Sequence, residues 1–336
     1  MSDSPHSNRM TRRAFIKRGV ALTATLGAAG LLEACSQAAT PQPAPAAPAA
    51  PTTAAVVPTT APAAVPTAAQ AAPTAVAAKA GGVLNIGYGQ KTSFSHFMHL
   101  RSYAGGETIY NRLLVQGKLV QMREPTKEFY PDLAEKWEFA PDGKSATFTL
   151  RKGLKWHDGQ PFTAKDVDFT FQIAGLDLGG YILTRYLAPY VVGAKEWIDN
   201  KASKIDGIKV VDDNTVRFEF LRPTNPDLVL GALNYTCIAP QHILSDFLKD
   251  RSKAQDILKS EWATTAKHVG IGPFKVVEYV PDQYIVYEPY ANYHFGKPKL
   301  DRVVYRSYQD RQTVAAAIEK KEIDIGWIPE TEYARM

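Results

Sequence analysis

The sequence predicts a mixed fold of the α/β or α+β kind, standing behind a long leader that is not part of it. Three observations carry that reading. Apolar–polar alternation recurs in paired segments separated by Pro, Asp, Asn and Gly, the pattern of β-hairpins. Helical segments with recognisable caps stand between those pairs. No internal repeat is visible, and the mixed order of hairpins and helices argues against a barrel or a bundle.

Residues 1–35 read as a processed leader. Thr11-Arg12-Arg13-Ala14-Phe15-Ile16-Lys17 sets two adjacent arginines before an aromatic residue, an apolar residue and a lysine, and Gly19 to Leu32 is apolar except for Thr23 and Thr25. That stretch is too short to cross a hydrocarbon core of roughly 30 Å as a helix. A basic start, a short apolar region and a small-residue end make a signal peptide. Arg12, Arg13, Phe15 and Lys17 resemble the twin-arginine export signal. Leu32-Glu33-Ala34-Cys35 resembles a lipobox, with Glu33 departing from it; the Cys35 thiol takes a diacylglycerol thioether, and the small Ala34 lets a peptidase cut. Ser36 to Ala78 is almost wholly Ala, Pro, Thr, Val and Gln, with no charged residue. Recurrent proline blocks helix and sheet alike, so residues 36–80 are expected to form a disordered, semi-rigid tether.

Order is expected from Gly81. Val83 to Tyr88 is a β-prone run, and Gly105 to Leu114 reads as a helix packing through Ile109, Leu113 and Leu114. Trp137 to Arg151 reads as a hairpin turning at Pro141-Asp142-Gly143, with Ala146, Phe148 and Leu150 on one face and Thr147, Thr149 and Arg151 on the other. His157-Asp158-Gly159 makes a second turn. Thr163-Ala164-Lys165-Asp166 is an N-cap followed three residues on by an acid, opening a helix with Val167, Phe171 and Ala174 on one side. Ile208 to Phe220 repeats the hairpin pattern around Asp212-Asp213-Asn214. Phe274 to Tyr279 and Tyr284 to Glu288 make a third hairpin, Leu300 to Ser307 a further strand, and Asp310 caps a helix running to Lys320.

Charge and chemistry narrow the function classes. The net charge is +5, of which +3 lies in the leader, where Arg9, Arg12, Arg13, Lys17 and Arg18 face only Asp3 and Glu33. The rest of the chain, at about +2, carries no signature of nucleic-acid binding. With Cys35 lipidated, Cys237 has no partner in the chain and reads as a small buried hydrophobe. No phosphate loop, nucleophile elbow or His-Glu-x-x-His motif is present. Gly87-Tyr88-Gly89 lacks the third glycine of a dinucleotide site. His157-Asp158 reads as turn chemistry, and Trp137, Trp156 and Phe148 as core. Neither a catalytic residue, a metal site nor a cofactor is expected.

Two series of blocks carry a specific likeness. The first is Pro131-Asp132-Leu133-Ala134-Glu135-Lys136-Trp137-Glu138, Pro141-Asp142-Gly143, Thr147 through Gly159, and Pro161 through Val167. The second is Gly270-Ile271-Gly272-Pro273-Phe274-Lys275, Asn292 through Asp301, and Glu322-Ile323-Asp324-Ile325. In order and spacing they resemble the family 5 extracellular solute-binding proteins of ABC importers, over about residues 82–328.

The resemblance implies a type II periplasmic-binding-protein fold. Residues 81–328 would supply a partial domain I and a complete domain II at about 115–222; domain III would be absent, with 329–336 as its start. It implies a monomeric, extracytoplasmic lipoprotein that captures a peptide or related small solute for an ABC permease. By the same resemblance, Gln90, Thr92, Ser93 and Phe94 line the domain I face of the cleft, with Asn234 and Tyr235 nearby. Tyr181 and Tyr186 reach in from domain II, with Arg185 as a charge partner. Such clefts close two lobes on the ligand, so one lobe alone is expected to bind peptides in roughly the millimolar range or worse. Two alternatives stand beside this reading. A surface-anchored hydrolase would require a nucleophile or metal cluster that the sequence does not offer. A sensor or scaffold lipoprotein would use the same fold without transport.

Overall fold

The computed structural model describes residues 81–89, 111–176 and 188–335. The leader, the tether and residues 90–110 and 177–187 lie outside the described residues. Of the helix expected from Gly105 to Leu114, residues 111–114 are described, and they are helical.

Strand β1 (Val83–Gly89) opens a five-stranded sheet that the chain completes only near its far end. Strands β2 (Val120–Arg123) and β3 (Glu128–Pro131) form a separate antiparallel pair. Strands β4 (Ala134–Phe139), β5 (Ser145–Leu150), β6 (Ile208–Asp212) and β7 (Thr215–Glu219) make an antiparallel sheet in the order β4-β5-β7-β6. Both expected hairpins in this sheet are present. Phe148 is fully buried while Thr147 is half-buried, as the alternation requires. Phe218 bridges the sheet and its covering helix, meeting Phe148 edge-on at 5.6 Å and Phe171 at 5.1 Å.

That helix is α1 (Ala164–Ala174), and its start is the predicted capping box. The Thr163 hydroxyl accepts from the Lys165 N–H, and Asp166 Oδ2 accepts from the Thr163 N–H at 2.9 Å. The other oxygen, Oδ1, accepts from the Gln241 N–H at 3.0 Å, so one carboxylate caps two helices. Helix α2 (Ala194–Ile198) precedes β6, and α3 (Pro226–Tyr235), α4 (Gln241–Lys249) and α5 (Glu261–Thr264) follow β7. A 3-10 segment, Arg251–Lys259, joins α4 to α5.

The chain then returns to the first sheet. Strands β8 (Phe274–Val280) and β9 (Tyr284–Pro289) are the third expected hairpin, followed by β10 (Arg302–Tyr308), helix α6 (Arg311–Glu319) and β11 (Ile325–Gly326). The order is β11-β1-β10-β9-β8, with β1 parallel to both of its neighbours. Val83 pairs with Arg302 and Gly89 with Tyr308. Helix α6 packs on β1, and this is what the two glycines serve. A Cβ on Gly87 would stand 2.3 Å from the Ile323 side chain, and one on Gly89 would stand 2.3 Å from the Asp310 carbonyl oxygen. Ile86, Tyr287, Val303 and Tyr305 fill the core of this sheet.

Candidate functional site

Parallel strands end together, and in open sheets ligands collect at the carboxyl ends of such strands. Here β1, β10 and β11 end side by side at Gly89, Tyr308 and Gly326. Tyr88 stacks on Tyr305 at 6.2 Å and meets Trp327 at 5.9 Å. Trp327 is 55% exposed, and the Arg311 guanidinium lies 5.6 Å from its ring centroid. Asp310 caps α6 by accepting from the Thr313 N–H and hydroxyl, both at 2.8 Å; those bonds hold its carboxyl below the usual carboxylate range. The helix start is therefore satisfied from within the chain. An exposed indole beside a guanidinium is a surface on which a planar or apolar group can stack.

The structure places two of the sequence-predicted ligand residues. Asn234 is buried near the end of α3, and its Oδ1 accepts from the Met122 N–H at 3.0 Å, tying the helix to β2. Tyr235 is 39% exposed; its carbonyl accepts from Arg112 Nη2 at 3.2 Å and its ring lies 5.6 Å below that guanidinium. Gln90, Thr92, Ser93, Phe94, Tyr181, Arg185 and Tyr186 lie outside the described residues, as do Arg12, Arg13, Phe15, Lys17 and Cys35. The first four follow directly on the end of β1. Tyr88, Arg311 and Trp327 were not anticipated; the one sequence signal was a tryptophan two residues beyond the Glu322-Ile323-Asp324-Ile325 block.

At the other end of the five-stranded sheet, where β8 begins, turn residues join the two sheets. His157 Nε2 donates to the Gly272 carbonyl at 3.0 Å, and its Nδ1 accepts from the Gly270 N–H at 3.2 Å. Burial pushes its pKa down to about 4, so the ring is neutral. His294 Nε2 meets Asp132 Oδ1 at 2.9 Å, with both side chains buried. Asp132 Oδ2 accepts from the Lys118 N–H at 3.1 Å and Gln121 Nε2 at 2.9 Å, and Arg151 Nε donates to the Asp132 carbonyl at 2.7 Å. His157 is thus more than a turn residue. Among the described residues, no group of three His, Cys, Asp or Glu is placed to hold a metal, and no helix is long and apolar enough to cross a membrane. Cys237 is buried and unpaired with another cysteine.

Comparison with known proteins agrees with this architecture. The pattern of the bacterial extracellular solute-binding proteins, family 5, matches residues 128–336. The dipeptide-binding protein of Escherichia coli is 31% identical over 242 residues, covering 69% of this chain and 42% of that one. Among solved structures, the oligopeptide-binding protein AppA of Bacillus subtilis, in complex with a nonapeptide, is 26% identical with a TM-score of 0.60. It covers 76% of this chain and 46% of that chain. The periplasmic binding protein DppA of Helicobacter pylori, in complex with the peptide STSA, is 28% identical with a TM-score of 0.57, covering 76% and 49%. The chain thus spans less than half the length of these relatives. Its fold is that of periplasmic binding proteins of this type, and the chain belongs to the bacterial extracellular solute-binding proteins, family 5.

Proposed function

We propose that this chain is the solute-capturing component of an ABC importer, taking up a peptide or related small solute outside the membrane for delivery to a permease. The observation that carries the reading is the family match over residues 128–336. The aromatic and cationic surface at the ends of β1, β10 and β11 supports it, because stacking and charge hold a solute without transforming it. In this reading Gln90, Thr92, Ser93 and Phe94, together with Tyr181, Arg185 and Tyr186, are ligand-binding residues, as the family resemblance implies. Isothermal titration of the chain with a mixed di- to pentapeptide pool should give weak, saturable heat with a dissociation constant in roughly the millimolar range or worse. Micromolar binding overturns the one-lobe expectation, and heat no different from that of an unfolded control at the highest peptide concentration overturns the capture reading.

The leader adds a location. Residues 12–17 direct export, Cys35 carries the lipid, and residues 36–80 serve as the tether. Cys35→Ala should leave the chain exported but released from the membrane fraction. Retention of the variant on washed membranes would show that something other than this thiol anchors it.

A further inference from the structure

We propose that Lys118 and Cys237 form an oxidative modification site, at which a hydroperoxide joins the lysine nitrogen to the cysteine sulfur. The proposal is independent of the solute-capture reading. The two residues face each other in an isolated antiparallel bridge. The Ile238 N–H donates to the Gly117 carbonyl at 2.9 Å, a bond that flanks the pair and does not join it. On its opposite edge, Lys118 directs its own N–H to Asp132 Oδ2 at 3.1 Å, and its carbonyl accepts from the Leu133 N–H at 3.0 Å. Lys118 and Cys237 are therefore a non-hydrogen-bonded pair, the kind whose Cα atoms lie about 4.5 Å apart with both side chains on one face. Cys237 is 2% exposed and Lys118 8%.

Among the described residues, the Lys118 ammonium has no hydrogen bond and no ion pair. Asp132 is engaged elsewhere: Oδ1 by His294, and Oδ2 by the Lys118 N–H and Gln121. A buried lysine with no acid to hold its proton favours the neutral amine. Burial pushes its pKa down. The next influence is Cys237, which acts against burial, as its place across the bridge requires; Arg112 lowers the pKa further and Asp132 raises it. The neutral amine takes the thiol proton, and the thiolate attacks hydrogen peroxide, breaking the O–O bond. The sulfur is oxidised to a sulfenic acid and the peroxide is reduced; the departing hydroxide takes the proton from the ammonium and leaves as water. The amine then attacks the sulfur. An S–N bond forms, the S–O bond breaks, and a second water leaves with a proton from the nitrogen. A single bridge opens locally more easily than a full ladder, which gives a small oxidant its route in.

In the full chain carrying Cys35→Ala, Cys237 is the one remaining thiol. Folded and treated with hydrogen peroxide, that protein should lose two hydrogens at the pair. Trypsin should no longer cut after Lys118, and mass spectrometry should find Lys118 and Cys237 in one linked peptide. Dithiothreitol should restore both the cut and the original mass, because a thiol reduces the S–N bond. Lys118→Met in the same background should form no link and should instead gain oxygen at Cys237. The parent unfolded in urea should also form little link, since the strand pairing that sets the two side chains together is lost; this control holds even where Lys118→Met does not fold. Oxygen gained at Cys237 without a link in the folded parent, an equal yield of link in urea, the same loss of two hydrogens in Lys118→Met, or a thiol that peroxide leaves untouched would each overturn the proposal.

Discussion

Acidification from pH 6.5 to pH 4 should remove about 6 kcal/mol of folding stability through two buried imidazoles alone. His268 is held at about 3 and His157 at about 4, in both cases chiefly by burial. His268 is enclosed on every side: Nδ1 donates to the Trp262 carbonyl at 2.6 Å, and Nε2 accepts from Gln116 at 2.5 Å and Asn111 at 3.1 Å. Protonating it would place a proton where two amide donors already point. The unfolded chain binds protons at these rings near pH 6.5, and the folded chain does not. Stability from this source is therefore complete above pH 6.5 and is lost as pH falls toward 4 and then 3. Two acids oppose the trend, since burial raises the carboxyl pKa values of Asp166 and Asp168. The readout is accordingly a difference. Urea midpoints measured from pH 7 to pH 4 should fall steeply for the parent chain and less steeply for His268→Gln and His157→Gln. Each variant should remove about 3 kcal/mol of the pH-dependent loss, whatever its own stability at neutral pH. A His268→Gln profile parallel to the parent's would show that this ring titrates freely.

How much of this could be read beforehand follows a physical division. The hairpins around Asp142 and Asp213 were readable because alternation reports burial within one strand, and turn residues sit between the strands. The α1 capping box was readable because Thr163 and Asp166 satisfy each other locally. Helix α3 carries a local signal too, with Asn225 accepting from the Asp227 N–H and Pro226 at the first turn. Helix α4 carried less: its first free amide is satisfied by Asp166, 75 positions earlier, and no local pattern reports such a bond. The candidate surface suffered most. Tyr88, Tyr305, Arg311 and Trp327 meet only because β1 inserts between β10 and β11, a pairing across more than 200 positions. Gly87-Tyr88-Gly89, set aside as a failed nucleotide motif, was the visible trace of that packing.

Phe148→Ala should destabilise the chain by about 3–5 kcal/mol, and Thr147→Ala by a small fraction of that. Both residues lie in β5, next to each other and paired across the same two strands: Phe148 faces Trp137 and Val216, and Thr147 faces Glu138 and Arg217. The backbone hydrogen bonding is common to both, so the contrast isolates the side chains. The Phe148 ring is fully enclosed, with Trp137 on one flank at 6.5 Å and Phe218 meeting it edge-on. Truncation removes that contact area and leaves a void that the β4 and β7 backbones cannot close, because the ladder fixes their spacing. Thr147 has charged neighbours and partial exposure, so its truncation sacrifices little buried surface. Phe148→Leu should recover part of the loss, since most of the volume returns without the ring edge that Phe218 meets. Denaturant midpoints with unchanged slopes would give the three values on one scale. Equal costs at positions 147 and 148 would mean that β5 presents the other face to the core, reversing the register of the whole four-stranded sheet.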